Sequence, residues 1–451
     1  MDKQAVEYFH SVRLIEEECK GCTHCIRTCP TEAIRVRHGK ARIIEERCID
    51  CGECIRTCPN SAKITVTDPL DILKEFKHKI AIPAPSLTGQ FSSKHTATGM
   101  LSGFLHMGFD DVLEVGFGAG LLSRAITEYL RGAGAKIPRP VISSACPAVV
   151  RLIQVRYPGL VENILPMQSP MEVTARYVKE KAVEATGLDE KEIGVFFISP
   201  CPAKVTVVKQ PIGAERSYVD GVIAAKDAVN YIRKNFDDIE GRKGIQKASG
   251  SGISWGRRGG EVASIDIPRK LSVDGIHHVR KILDKVEEGG LKKINLIEAQ
   301  ACVGGCVGGV LMAEDPFLAK VKIDIVTEEI GAKNDNRLEE AYGCAKKEMY
   351  FLDGKIEPRP ITPLDANVDE AMRKLKEIER LSEELPGSDC GSCGCPTCRA
   401  FAEDVVMGLS TPLDCQFKMR EQVGGLAGEI HELLKKLPHT EWKRGAENED
   451  R

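Results

Sequence analysis

Ile294-Asn295-Leu296-Ile297-Glu298-Ala299-Gln300-Ala301-Cys302-Val303-Gly304-Gly305-Cys306-Val307-Gly308-Gly309 is the stretch on which the reading of this chain turns. A short apolar run feeds a loop that sets two cysteines among glycines. The same arrangement recurs upstream. Val141-Ile142 runs into Ser143-Ser144-Ala145-Cys146-Pro147, and Ile193-Gly194-Val195-Phe196-Phe197-Ile198 runs into Ser199-Pro200-Cys201-Pro202-Ala203-Lys204. Ile80-Ala81-Ile82 leads to Pro83-Ala84-Pro85-Ser86, and Asp111 to Val115 lead to a Gly-rich turn, Gly116 to Gly120. Short apolar runs alternating with helical segments predict an α/β layer with mostly parallel strands. Ligands bind at the carboxyl ends of such strands. Cys146, Cys201, Cys302 and Cys306 are therefore expected to converge at one edge of a sheet.

The chain has 18 cysteines. Eight form two C-x2-C-x2-C-x3-C-P runs: Cys19, Cys22, Cys25 and Cys29-Pro30, then Cys48, Cys51, Cys54 and Cys58-Pro59. Four more, Cys390, Cys393, Cys398 and Cys415, lie near the C-terminus. With the central four, they make sets of four ligands, the number an iron–sulfur cluster takes. A disulfide framework suits much shorter secreted chains, and zinc sites rarely place a third cysteine and a proline in this register. Cys344 and Cys395 are left over. Cys344 is expected to pack as a small apolar residue, and Cys395 is read as a bystander in its loop.

Composition excludes several classes. The net charge of −3 and pI near 6.4 give no electrostatic footprint for nucleic acid. No apolar run is long enough for a membrane span, and Met1-Asp2-Lys3-Gln4 does not open a signal peptide. Free metal-spaced thiols place the chain in a reducing compartment, the cytoplasm.

Four regions are expected: a two-cluster domain over 1–66 beginning with a short leader at 1–11, an α/β domain over 67–356, a linker and helix over 357–387, and a final cluster domain and tail over 388–451. Pro358, Pro360 and Pro363 mark the linker, and Asp369 to Leu385 has helical apolar spacing. The tail holds one more helical piece, Ile430 to Leu437, and ends charged and frayed. Gly116-Phe117-Gly118-Ala119-Gly120 has Leu121 where a dinucleotide fingerprint needs glycine, so it reads as a structural turn. Arg257-Arg258 reads as solvated loop charge.

The two N-terminal runs resemble bacterial two-cluster ferredoxins. There the fourth cysteine of each run ligates the other cluster, which implies one [4Fe–4S] on Cys19, Cys22, Cys25 and Cys58 and another on Cys48, Cys51, Cys54 and Cys29. The C-terminal set resembles the small four-cysteine [4Fe–4S] domain of corrinoid iron–sulfur and electron-transfer proteins. The three central loops, with Ala84-Pro85-Ser86 and the run from Gly250 to Glu261, resemble the active-site motifs of [FeFe]-hydrogenases. That resemblance implies an H-cluster, a [4Fe–4S] cube joined to a diiron unit with CO, cyanide and a bridging azadithiolate. Cys146, Cys201, Cys302 and Cys306 match its ligands, Cys306 being the bridge, and Lys204 matches the lysine facing a cyanide. Pro85, Ser86, Ser199, Pro200 and Gln300 match positions around the diiron unit.

The departures carry information too. The family's proton-relay cysteine is Ala145 here, and alanine carries no proton. Ser199 and Gln300 replace methionines, Arg124, Ala125 and Ile126 stand where paired glutamates are expected, and Met171 follows Ser169-Pro170. The pattern resembles the sensory type of [FeFe]-hydrogenase. It implies slow reversible H2 oxidation, protons leaving through Glu298 or a water chain, and electrons relayed to a ferredoxin or a signalling protein. Hydrogenase maturation machinery would supply the diiron unit. The other reading is a non-catalytic electron-transfer or cluster-scaffold protein on a hydrogenase-like fold.

Overall fold

The computed structural model describes residues 8–91, 97–134, 137–359 and 364–436. Two compact units divide the chain near residue 362. Pro360 and Pro363 of the expected linker lie outside the described residues, as does the tail from 437.

Among the described residues, the first unit contains all eleven strands. Val12–Leu14 (β1) pairs antiparallel with Lys63–Thr65 (β4), and Ile34–Arg37 (β2) with Lys40–Ile43 (β3). These two ribbons frame the N-terminal cysteine runs. The remaining strands are His78–Pro83 (β5), Asp111–Val112 (β6), Val141–Ile142 (β7), Ile193–Ser199 (β8), Gly221–Ala224 (β9), Lys270–Asp274 (β10) and Leu296–Gln300 (β11). They form two wholly parallel sheets, in the orders β6-β5-β8-β9 and β10-β11-β7. β8 is buried along its whole length. Its run of Ile, Val and Phe suits a strand covered on both faces. The mostly parallel sheets expected from the sequence are two, and the central cysteine loops do not all leave one edge. The Cys201 loop leaves one sheet while the Cys146 and Cys302 loops leave the other.

The Gly116–Gly120 run is not a turn. It lies in the first turns of the helix Val115–Ala133. A Cβ on Gly118 would meet Thr174 Oγ1 at 2.2 Å and Pro170 O at 2.8 Å. The absent side chains let this helix press against the neighbouring helix Pro170–Thr186, and tertiary packing overrides the low helix propensity of glycine.

The end of the expected leader is part of the fold. Ser11 is fully buried, its hydroxyl donating to Pro202 O at 2.8 Å. His10 Nδ1 meets Asp50 Oδ2 at 2.8 Å, both buried. Arg359 donates to Cys48 O at 3.1 Å and to Glu45 O at 2.8 Å. Arg56 donates to Gly308 O at 2.7 Å. The second cysteine run is thereby fastened to the Cys302–Cys306 loop.

The second unit is helical. Val368–Glu384 turns Ile378 and Leu381 into a small core shared with the helix Cys398–Val406, where Phe401 is buried. The last helix is far longer than the piece expected at 430–437. It starts at Gln416, directly after Cys415, and runs to Lys436.

Candidate metal centres

Each central cysteine is placed by a strand end. Cys146 caps the helix Pro147–Arg156 and Cys201 caps the helix Pro202–Lys209. Neither thiol serves as the cap acceptor, and a proline follows each, which fixes the first turn without needing an N–H partner. Cys302 follows β11, and Cys306 opens a short 3-10 turn, Cys306–Gly308. Glycine is required between them. At Gly305 φ is +91°, and a Cβ would lie 2.5 Å from both Arg258 N and Gln300 Oε1. A Cβ on Gly309 would lie 2.2 Å from Pro200 O, so glycine lets the Cys306 loop close against the Cys201 loop.

Arg257 and Arg258 are not free loop charges. Arg257 pairs with Asp324. Arg258 pairs with Asp274 at 3.3 Å, and its backbone N–H donates to Gly304 O at 2.9 Å. Asp274 in turn accepts from Gly304 N at 2.7 Å. The clamp holds the cysteine loop from two sides.

The four thiols feel one another. Burial pushes Cys201 up to about 11, the charge of Cys146 adding to it and Lys204 opposing. Burial pushes Cys306 up to about 12, with Cys201 next in effect. Cys302 rises well above the ordinary thiol value through burial, then Cys201 and Cys146. Buried thiols massed in this way do not ionise alone; a multivalent cationic centre is what makes four thiolates stable together.

Beside them lies a cavity of about 50 Å³, whose lining includes Pro85, Ala145, Cys146, Met171, Pro200, Lys204, Glu261, Gln300 and Cys306, with Phe197 and Trp255 as apolar wall. Lys204 is buried, and its Nζ donates to Ala145 O at 3.3 Å. Gln300 Oε1 and Ser86 Oγ are buried without a partner among the described residues. Orphaned polar atoms, a buried ammonium and two of the four thiols around an apolar pocket, the other two behind them, fit a bulky anionic cofactor, because each unpaired group here would otherwise cost free energy. Ser199 is turned elsewhere: its hydroxyl donates to Cys201 O at 2.9 Å and stitches that loop.

Sequence reasoning passed over Glu261. It is buried and lines the cavity. Burial and the charge of Glu298 hold its carboxyl well above the carboxylate range. Glu298, fully buried, accepts from Gly259 N at 2.7 Å and Val262 N at 2.9 Å, and burial raises it too. A lone Glu behind two glycines has no local signature, and only the fold puts the two carboxyls together.

In the N-terminal region, Cys19, Cys22, Cys25 and Cys58 line one small cavity. Cys29 acts electrostatically on Cys48, Cys51 and Cys54, so the fourth thiol of each run lies beside the first three of the other. Lys63 Nζ is buried without a partner among the described residues and lies near Cys19, Cys25 and Cys54. An uncompensated buried ammonium fits anionic clusters on either side. In the second unit, Cys393 acts on both Cys390 and Cys398, and Gln416, next to Cys415, reaches Cys390 Sγ at 4.0 Å. Cys395 is buried with its sulfur toward Asp404 at 3.4 Å. Cys344, expected to be packed, is exposed at the end of the helix Asp335–Cys344, which anchors through Leu338 instead.

Comparison with known proteins agrees with this geometry. The family model for the iron-only hydrogenase large subunit, C-terminal domain, matches residues 77–271 and 236–310, together more than half of the chain. A 4Fe–4S dicluster domain model matches 11–59, and an Fe–S cluster model matches 385–417. The chain belongs to the iron-only, or [FeFe], hydrogenase family. It is 24% identical over 315 residues to iron hydrogenase 1 of Clostridium pasteurianum, covering 58% of this chain and 55% of that protein. Thus it spans little more than half the length of that relative. It is 26% identical over 361 residues to the periplasmic [Fe] hydrogenase large subunit of Nitratidesulfovibrio vulgaris, covering 66% of this chain and 86% of that one. A structure of the [FeFe]-hydrogenase HydA1 of Chlamydomonas reinhardtii matches with a TM-score of 0.48 and 17% identity, covering 63% of this chain and 95% of that one. Among the described residues, no helix is long and apolar enough to cross a membrane.

Proposed function

We propose that this protein is a slow, H2-sensing [FeFe]-hydrogenase that interconverts H2 with protons and electrons in a reducing compartment, the cytoplasm. The observation that carries the reading is the gathering of Cys146, Cys201, Cys302 and Cys306 from two sheets within electrostatic reach of one another, with Cys146, Cys306 and Lys204 lining one cavity. The four cysteines would hold the cubane and, through Cys306, the diiron unit, which supplies the sites for heterolytic H2 cleavage. Lys204 offsets negative charge in the pocket, since an ammonium and an anion buried together relieve each other's desolvation. Apolar walls at Phe197, Met171 and Trp255 keep water from the reacting side.

Protons leave by a route of this chain's own. Ala145 lines the cavity and is inert. Glu261 lines it as well, and burial keeps its carboxyl protonated toward neutrality. Glu298, whose charge couples to it, takes the next place, held by two backbone N–H donors. Two carboxyls whose charges repel share protons rather than ionise together. One glutamate pair in place of a relay that begins at a cysteine is the reason to expect low turnover.

Electrons would pass between the surface and the central site. The first set exposes one thiol, Cys22, and the second lies against the central loops, where Cys51 packs and Arg56 donates to Gly308 O. A ferredoxin or signalling protein would read the outer cluster or the C-terminal one, and maturation machinery would load the diiron unit.

Infrared spectroscopy of anaerobic protein, loaded with a synthetic diiron precursor, tests the reading. CO and cyanide bands that shift under H2 are expected. Full iron loading without such bands would leave an electron-transfer or scaffold protein.

A further inference from the structure

The helix Gln416–Lys436 buries none of its residues. Five of its apolar side chains nonetheless keep heptad spacing, with Phe417 and Leu434 beside them. Met419, Val423, Leu426, Ile430 and Leu433 follow one another at intervals of four, three, four and three, and the sequence continues the pattern at Leu437. The five stand 47–63% exposed. This is a heptad seam with Val423 and Ile430 at a, and Met419, Leu426 and Leu433 at d.

We propose that a second copy of this chain covers the seam, making a parallel two-stranded coiled coil. Three observations select that occupant. First, β-branched residues at a with Leu and Met at d are the division that favours two parallel strands. Second, the flanking positions suit self-pairing. In parallel register Gln422 meets Ala427 of the second copy and Glu429 meets its Leu434, so no like charges face each other. Third, the glycines avoid the seam. Gly424, Gly425 and Gly428 fall at b, c and f, and a Cβ built on any of them would meet nothing within 4 Å. Three glycines make the helix poor on its own propensity, and a helix of this kind depends on packing for its order. Here that packing is supplied from outside the chain.

Three heptads make a seam at the small end of specific interfaces, about 1,200 Å² or less in total. The pairing is therefore reversible and set by concentration. The helix leaves Cys415 without an intervening loop, Met419 N donating to Cys415 O at 2.9 Å. The dimer seam thus begins at the last thiol of the C-terminal set.

Sedimentation velocity of the full, cluster-loaded chain under anaerobic conditions tests this. The mass should move from 49.4 kDa to twice that value with rising concentration. Ile430→Lys and Ile430→Glu should each stay monomeric with unchanged iron content, and Glu421→Gln, at an outer f position, should still dimerise. An equal mixture of the two Ile430 variants should recover the dimer, because position a faces itself only in a parallel, in-register pair. A wild-type monomer at every concentration, or a dimer that survives both Ile430 substitutions, overturns the proposal. A mixture that stays monomeric overturns the parallel register.

Discussion

The N-terminal thiol sets and the central set are built on opposite plans. In the first, three thiols of each set sit within seven consecutive residues, and only the fourth comes from afar. Cys22 is exposed, and although burial opposes it, backbone N–H groups of Ala41 and Gly21 help hold Cys19 below the ordinary thiol value. In the second, the thiols span residues 146 to 306 and arrive from two sheets. Burial drives Cys201, Cys302 and Cys306 strongly upward, as it does Cys48, Cys51 and Cys54, so in exposure the central set contrasts with the first N-terminal set alone. A site that passes electrons to a partner gains from proximity to the surface. A site that handles protons and a small apolar gas gains from a dry pocket whose only ionisable groups are those the fold installs.

Breaking one thiol on each plan should separate them most sharply. Cys302→Ala is expected to remove the cofactor infrared bands and to lower H2/D2O exchange by more than ~100-fold. Cys22→Ala should leave those bands and slow only electron delivery to an external acceptor. Parallel infrared and dye-reduction assays check this, and equal loss of exchange in both variants would mean the outer cluster is needed to build the inner site.

The next effect concerns the acids of the dry pocket. Glu261→Gln should reduce exchange by about 100-fold, the usual scale for a positioned proton carrier, with the infrared bands retained. Because burial and Glu298 raise the Glu261 carboxyl, its protonated form persists above the normal carboxylate range. Wild-type exchange that depends on that proton should decline as pH rises through the raised value, and the variant should lose that limb. The same shift means that folding takes up a proton here, so this group's contribution to stability falls as pH climbs from the ordinary value to the raised one. A pH profile unchanged by the substitution would remove Glu261 from the route.

The smallest effect lies at the joint between the two plans. Burial opposes the Asp50 charge, but the hydrogen bond and charge of His10, with Arg151 beyond, prevail and hold it below the ordinary carboxylate range. Breaking such a buried pair costs about 3 kcal/mol. Asp50→Asn should lower the temperature at which the visible cluster absorbance is lost by roughly 5–10 °C. The depressed carboxyl stabilises above its unfolded pKa and ceases to do so as pH falls through its folded one. The gap between wild type and variant should therefore close on acidification.

Sequence alone carried the α/β class, the parallel strands, the sixteen thiols in sets of four and the loops that bear them. Each rests on a local rule: alternation of apolar runs, tight cysteine spacing, or glycine beside cysteine. It misread Gly116–Gly120, where helix packing prevails over glycine's preference for turns. It also misread Arg257-Arg258, because their partners Asp324 and Asp274 lie far along the chain or across a strand. Cys344 was expected inside and stands exposed, since a single apolar residue carries no direction of its own. Only the tertiary structure decided that two sheets rather than one present the ligands, that Glu261 meets Glu298, and that His10 closes on Asp50. These are encounters between residues distant in sequence, and their energy comes from shared desolvation, which exists only once the chain has closed around them.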